Sequence, residues 1–163
     1  MGCRLLTHSQ QLNIIGNMKI PRIVLDTNVL VAGLSSRLGA SYQLLLRCRQ
    51  GEFRLLLSIP LWLEYESVLK RDDIRKLHGL SIQEVDIFLA GIARLGDAVT
   101  LHYLWRPQLR DAKDEMVLEA ALNGQADALV TFNVADFEPA VKKFALNLIQ
   151  PRVLLAQLKE NKK

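Results

Sequence analysis

The chain alternates short apolar runs with longer segments in which apolar residues recur every three or four positions. Runs at 23–25, 53–57, 128–131 and 146–149 are typical of buried strands, and 98–103 alternates like a further strand. The spacing predicts helices at 40–50, 61–71, 81–95, 114–122, 136–143 and 151–158. Because strands alternate with helices, we expect an α/β fold: a three-layer α/β/α sandwich around a parallel sheet of about five strands.

The first apolar run ends abruptly in an acid. Asp26 follows Leu25 directly and is itself followed by Thr27 and Asn28. In open parallel sheets ligands bind at the carboxyl edge of the strands, so Asp26 is a candidate site residue. The same stretch is also ordinary helix-start chemistry, in which Asp26 would be an N-cap. A functional role for Asp26 therefore depends on whether other acids reach the same edge.

Two further acids fall on the apolar faces of predicted helices. Helical periodicity places Glu64 and Asp114 on the inward faces of their helices, whereas Glu115 and Glu119 are expected to point to water. A carboxylate on a buried face is unfavourable unless a cation or a hydrogen-bond donor compensates it. An acid near a helix N-terminus, favoured by the helix dipole, is the alternative explanation for each taken singly.

More polar residues come near the ends of the third and fourth strands. Asn133 is the first polar residue after the fourth strand, and Asp136 begins the next helical turn. Thr131 could line the same pocket or simply end the strand, and Asp111 could cap the following helix or support the site. Capping explains each of these residues alone, but it does not explain why Glu64 and Asp114 face inward.

The candidate acids are expected to lie together at one edge of the sheet, where a bound cation would stabilise them. Without a positive charge nearby, neighbouring carboxylates raise one another's pKa. The chain has only three histidines and two cysteines, and their positions do not match a zinc site. Oxygen ligands without nitrogen or sulfur predict Mg²⁺ or Mn²⁺.

Composition narrows the class of protein. With 163 residues, half of them apolar, the chain is long enough for one globular domain with a real core. The net charge of +4 is compatible with a polyanionic partner. No apolar run approaches the roughly 20 residues of a membrane span, so we expect no membrane association. Two cysteines without a disulfide pattern predict a cytoplasmic location.

The chain divides into three parts in this interpretation. Residues 1–17 have no signal-peptide pattern and are interpreted as a flexible or wrongly assigned leader. Residues 18–158 form the single predicted domain, and residues 159–163 form a basic tail.

Four segments in order resemble the PIN-domain family of metal-dependent ribonucleases, in particular its toxin-like branch. They are 24–30 around Asp26, 60–71 around Glu64, 111–121 around Asp114, and 131–137 with Asn133 and Asp136. The resemblance implies a parallel-sheet α/β/α fold and an endonuclease that cleaves single-stranded RNA. It places Asp26, Glu64 and Asp114 in the family's acidic site. The fourth acidic position falls on Asn133, which has no charge, with Asp136 as a nearby substitute.

The resemblance also suggests a role for each residue. Asp26 and Asp114 would bind the metal directly, and Glu64 would hold a water or a second ion; together with Asp136 they form the candidate catalytic set. The residues expected to orient these ligands are Thr27, Asn28, Asp111, Thr131 and Asn133. The candidate RNA-binding cations are Arg37, Arg110 and Lys113, because all three lie on loops at the predicted edge. Trp62, Tyr65 and Trp105 could stack on bases, although core or dimer packing explains them more simply.

Partners follow from the family as well. Toxin-like members pair with a small antitoxin protein and commonly form homodimers, so we expect both here, with single-stranded RNA as substrate. The main alternative is an inert PIN-fold module that binds nucleic acid or protein without cleaving it. A receiver-like phosphoacceptor domain also gathers acids at this edge, but it leaves Glu64 unexplained.

Overall fold

The computed structural model describes residues 19–160, so the proposed leader and residues 161–163 of the proposed tail lie outside the described part of the chain. The five strands are β1 (Arg22–Leu25), β2 (Arg54–Leu57), β3 (Gly96–Ala98), β4 (Ala128–Val130) and β5 (Leu148–Ile149). The helices are α1 (Thr27–Ser35), α2 (Ala40–Arg49), α3 (Ile59–Leu69), α4 (Asp72–His78), α5 (Ile82–Leu95), α6 (Glu115–Asn123), α7 (Val134–Phe144) and α8 (Pro151–Glu160).

All four strand pairings are parallel, and the strand order is β3-β2-β1-β4-β5. Ile23 on β1 is the partner of Leu55 on one side and of Ala128 on the other. Strands β2 and β3 therefore lie on one side of β1, and β4 and β5 lie on the other. The strand order reverses between β1 and β4, and open α/β sheets bind ligands at the carboxyl ends of the strands at such a switch point. The predicted three-layer α/β/α class is confirmed.

The sheet is the centre of the core. Every residue of β1 after Arg22 and every residue of β4 is buried, as the uninterrupted apolar runs predict for a strand covered on both faces. Helix α6 packs on β1, β2 and β4 beside α3, while α1, α2 and α8 pack together as a second group. The hydroxyl of the fully buried Tyr65 donates to the carbonyl oxygen of Leu25, so Tyr65 serves the core.

The boundaries predicted for the third strand are wrong. The third strand is Gly96–Ala98, not 98–103, because the chain then leaves the sheet and the backbone N–H groups of His102 and Tyr103 donate to the side chain of Asn123. The charged stretch after α3 forms the separate helix α4, with two acids in its first turn and three basic residues in its last. The capping box at Ser81 and Glu84 that opens α5 is present.

Within residues 19–160 no single helix is long and apolar enough to cross a membrane. Helices α1 and α2 together are long and apolar enough, but the chain bends by 101° between them.

Candidate functional site

A cavity of about 510 Å³ opens at the carboxyl edge of the sheet, beside the switch point. It is bounded by α1, α3, α4, α6 and the start of α7. Its polar lining comprises Asp26, Thr27, Asn28, Ser35, Glu64, Asp111, Lys113, Asp114 and Asn133, and its apolar lining Val31, Ala32, Val68, Ile74, Leu77 and Val117. Three of the four candidate catalytic residues, Asp26, Glu64 and Asp114, thus meet at one cavity although they are far apart in the chain.

Asp26 sits at the deepest polar point of this cavity and is only 4% exposed. It occupies the N-cap position of α1, but its side chain makes no capping hydrogen bond. Instead Oδ2 accepts from Thr131 Oγ1 at 2.6 Å and from Asn28 Nδ2 at 2.9 Å. Burial raises the pKa of Asp26, although these hydrogen bonds act to lower it. The carboxylate is therefore held across the β1–β4 junction by side-chain donors.

Asp114 is partly buried and precedes α6 without capping it. Burial raises its pKa to about 6, and so do the negative charges of Asp26, Asp111, Asp136 and Glu64. Four other carboxylates are thus close enough to Asp114 to repel its ionised form. This mutual repulsion is the electrostatic signature of an acidic site, and perturbed pKa values of this kind are common at functional sites.

Glu64 lines the cavity from the second turn of α3. The first turn of that helix contains no acid, so the favourable interaction of an acid with the helix N-terminus does not explain Glu64. Its carboxylate has no hydrogen-bond partner among the described residues. Glu64 is therefore an acid directed at a cavity, and its charge acts on Arg71, whose guanidinium forms its ion pair with Asp73.

Of the other candidate residues, Asn133 and Asp111 line the cavity and Asp136 does not. Asn133 lines the cavity at the N-cap of α7 without capping it, and its backbone N–H donates to Thr131 Oγ1 at 2.9 Å. Asp111 lines the cavity on its exposed rim, where its Oδ1 accepts from the Lys113 backbone. Asp136 is exposed in the first turn of α7 and outside the cavity lining, and it acts on the site through its charge.

Of the three candidate RNA-binding cations, only Lys113 lines the cavity. Arg37 is exposed on the loop between α1 and α2, and Arg110 is exposed on the loop before α6. None of the three forms an ion pair with another described residue.

The prediction that Glu115 and Glu119 point to water is wrong, since they are only 2% and 1% exposed. Glu115 Oε1 accepts from the backbone N–H groups of Gln108 and Leu109 at 2.6 and 2.8 Å. Glu119 accepts two hydrogen bonds from Arg106, at 2.7 and 2.9 Å. Periodicity failed here because α6 is buried on almost every side, and its polar partners come from a loop that periodicity does not describe.

The donor set fits a hard divalent cation, because Asp26, Glu64, Asp114 and Asn133 offer only oxygen ligands of the kind that Mg²⁺ and Mn²⁺ prefer. A bound cation would also remove the repulsion that raises the pKa of Asp114. Within residues 19–160 no three acidic, histidine or cysteine side chains are already close enough to hold an ion. Metal binding would therefore have to draw the cavity carboxylates together.

The raised pKa of Asp114 predicts a pH-dependent stability in metal-free protein. The folded state keeps this proton up to about pH 6, whereas the unfolded chain releases it near the usual value of 3.8. The stabilisation is therefore complete below pH 3.8 and is lost as pH rises through 6. We expect the free energy of unfolding of Asp114→Asn, relative to wild type, to rise by about 1 kcal/mol between about pH 5 and about pH 7, after allowance for solvent screening. Denaturant titrations in EDTA measure it, and a difference that does not change with pH would contradict it.

Comparison with protein-family models matches residues 22–135 to the PIN domain. The match begins with β1 and ends just after Asn133, so it contains four of the five strands and every residue that lines the acidic cavity. None of the curated proteins compared matches the chain.

Proposed function

Because this chain belongs to the PIN domain family, whose members are generally nucleases, we propose that it is an endoribonuclease that cleaves single-stranded RNA with the help of Mg²⁺ or Mn²⁺. The observation that carries the proposal is the cavity itself. Asp26, Glu64 and Asp114 converge there from three separate segments, and burial together with the charges of the neighbouring acids raises the pKa of Asp114. None of the three makes an ion pair within the described residues, and the carboxylates of Glu64 and Asp114 accept no hydrogen bond there.

In this proposal the chain's own groups prepare the site. Thr131 and Asn28 fix the orientation of Asp26, and Asp26 and Asp114 would hold the cation. When bound, the ion would supply Lewis acidity, lowering the pKa of an attacking water and stabilising the charge that develops on the phosphate. Glu64 is positioned to orient a water, because its carboxylate reaches the cavity and accepts no hydrogen bond from another described residue. Lys113 on the rim would attract the phosphate.

Metal removal tests this proposal. We expect purified protein to cleave single-stranded RNA with Mn²⁺ or Mg²⁺, to stop in EDTA and to recover when the ion is restored, because deprotonated carboxylates bind the ion reversibly. Gel assays of labelled RNA measure cleavage, and melting curves with and without Mn²⁺ report binding independently of activity. Asp114→Asn should reduce both responses. Cleavage that persists in EDTA, or that is equal in Asp114→Asn, would show contaminating nuclease and not this site.

The biological setting is also a proposal. We place this protein in the toxin-like branch, in the cytoplasm, as a homodimer regulated by a small antitoxin protein. The basic net charge of +4 suits an acidic partner segment. Co-purification with the product of a neighbouring short reading frame, and loss of RNA cleavage in that complex, would test the pairing.

A second candidate function is an inert PIN-fold module that binds nucleic acid or protein. The observation that favours it is Asn133, which contributes no charge where the family pattern has an acid, together with the lack of a preformed three-residue metal cluster in the described chain. RNA binding without cleavage in Mn²⁺, and without a Mn²⁺-dependent rise in melting temperature, would support this candidate.

A further inference from the structure

The loop 99–114, between β3 and α6, has no regular secondary structure, yet its backbone is held firmly. Glu115, Glu119 and Asn123 lie one helical turn apart along α6. Glu115 accepts from the backbone of Leu109, and Glu119 accepts from the side chain of Arg106. Asn123 Nδ2 donates to the carbonyl oxygen of Tyr103 at 3.0 Å. The loop is thus fixed at three levels of one helix.

This anchoring determines the course of the loop. Asn123 is at the far end of α6, and Asp114 is at the end that meets the acidic cavity. A helix of 9 residues rises by about 14 Å, so the loop runs that distance along α6 from Tyr103 to the cavity rim. Side chains that project from the loop therefore follow a path along α6 toward the proposed active site.

Aromatic rings stand at the far end of this path. Tyr103 lies 5.6 Å from Trp105, and Trp105 lies 5.7 Å from Phe144 of α7 in an edge-on arrangement, between ring centroids. Tyr103 is 67% exposed although its backbone is held by Asn123. Packing explains the half-buried Trp105 and Phe144, but it does not explain an exposed ring on a rigid backbone.

The path also carries positive charge. Lys143 Nζ lies 5.4 Å from the Phe144 ring centroid and donates to Gln108 Oε1 at 2.7 Å, and it pairs with no carboxylate within residues 19–160. Arg110 is exposed farther along the loop toward the cavity. An exposed ring beside partly buried ones, followed by cations, is a combination that binds single-stranded nucleic acid, because bases stack on the rings and phosphates contact the cations.

We propose that Tyr103, Trp105, Phe144 and Lys143 form an RNA-binding strip whose far end, at Tyr103, lies about one helix length from the cavity. The inference rests on the proposed ribonuclease function for the identity of the ligand and for the direction in which the strand continues. It adds a contact surface that the acidic cavity does not contain. Long single strands would therefore bind far better than dinucleotides, which cannot cover both regions.

Tryptophan fluorescence can test this strip in the full chain. Trp62→Phe leaves Trp105 as the single tryptophan, and it removes a buried indole N–H that has no hydrogen-bond partner. Single-stranded RNA of about 12 nucleotides, within the usual range of site sizes, is titrated in EDTA so that it binds without being cleaved. We expect quenching of Trp105 on binding. Tyr103→Leu should weaken binding about tenfold, whereas Tyr103→Phe, which keeps the aromatic face, should bind like its parent.

Lys143 gives a second readout. In Lys143→Gln the slope of log affinity against log salt concentration should fall in magnitude by about 0.7, the value for one phosphate contact on a single strand. Lys159→Gln on α8 is the matched control for Lys143→Gln and should leave the slope unchanged. Ile87 is an exposed apolar residue on α5, so Ile87→Ala is the control for Tyr103→Leu and should leave the affinity unchanged.

The outcomes separate this inference from the proposed function. Cleavage of RNA by wild type, with Tyr103→Leu and Lys143→Gln both binding like wild type, would overturn the strip and leave the nuclease proposal intact. RNA binding that depends on both residues, in a protein that cleaves nothing, would support the strip and overturn the nuclease. Circular dichroism spectra of all variants establish that they are folded.

Discussion

Asp26→Asn is expected to reduce RNA cleavage by at least about 100-fold while making the metal-free protein more stable. Mutation of a residue that only hydrogen-bonds to a metal ligand typically lowers metal affinity or activity 10- to 100-fold. We therefore expect at least that loss when a direct ligand is replaced. The amide oxygen can still accept from Thr131 and Asn28, so the local geometry should survive. The stability rises because burial raises the pKa of Asp26, which means that its ionised form opposes folding at neutral pH.

A matched acid tests whether this effect belongs to the site. Asp97 lies on β3 and faces Arg22 and Arg54, at the amino ends of β1 and β2, on the opposite edge of the sheet. Asp97→Asn should cleave RNA like wild type and should not gain stability. Equal cleavage by Asp26→Asn and Asp97→Asn, each at the wild-type rate, would show that the acidic cavity is not the catalytic site.

Glu115→Ala is expected to lower the free energy of unfolding by about 3 kcal/mol. The substitution leaves the N–H groups of Gln108 and Leu109 without their acceptor, and an unpaired buried backbone donor costs about 1–3 kcal/mol. For a domain of this size the loss corresponds to a fall in melting temperature of roughly 6–12 °C. Cleavage should fall as well, because the loop that carries Asp111 and leads to Asp114 loses an anchor. Calorimetry and the RNA assay measure the two effects.

Glu115→Gln is the control for this prediction. Its side-chain carbonyl can accept the same two hydrogen bonds, and the carboxylate oxygen that it replaces, Oε2, is buried without a partner. We therefore expect Glu115→Gln to stay within about 1 kcal/mol of wild type. If Glu115→Gln is as unstable as Glu115→Ala, the negative charge and not the pair of accepted hydrogen bonds is what the loop requires.

The apolar part of the cavity distinguishes this site from a purely acidic groove. Leu77 on α4 is 61% exposed at its rim, and Val68 and Ile74 line the wall next to Glu64. Carboxylates beside apolar walls interact more strongly with one another than in open water, because the local dielectric is lower. Burial is the largest cause of the raised pKa of Asp114, and apolar surroundings would also strengthen its interaction with a cation.

The sequence by itself determined the fold class and the edge of the sheet at which the acids collect. Uninterrupted apolar runs such as Ile23, Val24 and Leu25 are typical of strands covered on both faces in a parallel sheet, and the residue after such a strand lies at its carboxyl end. Local patterns were sufficient because both properties depend on neighbours along the chain. The same reasoning brought Asp26, Glu64 and Asp114 to one cavity.

Tertiary structure alone decided which acids face the cavity and which serve the fold. Helical periodicity assigned Glu115 and Glu119 to solvent, but α6 is surrounded by the sheet, α3 and the loop 99–114, so it has almost no solvent face. The hydrogen bond from Thr131 to Asp26 joins residues 105 positions apart, and Arg106 reaches Glu119 across an irregular loop. Such contacts depend on how separate segments are placed in space, which no periodicity within a single segment encodes.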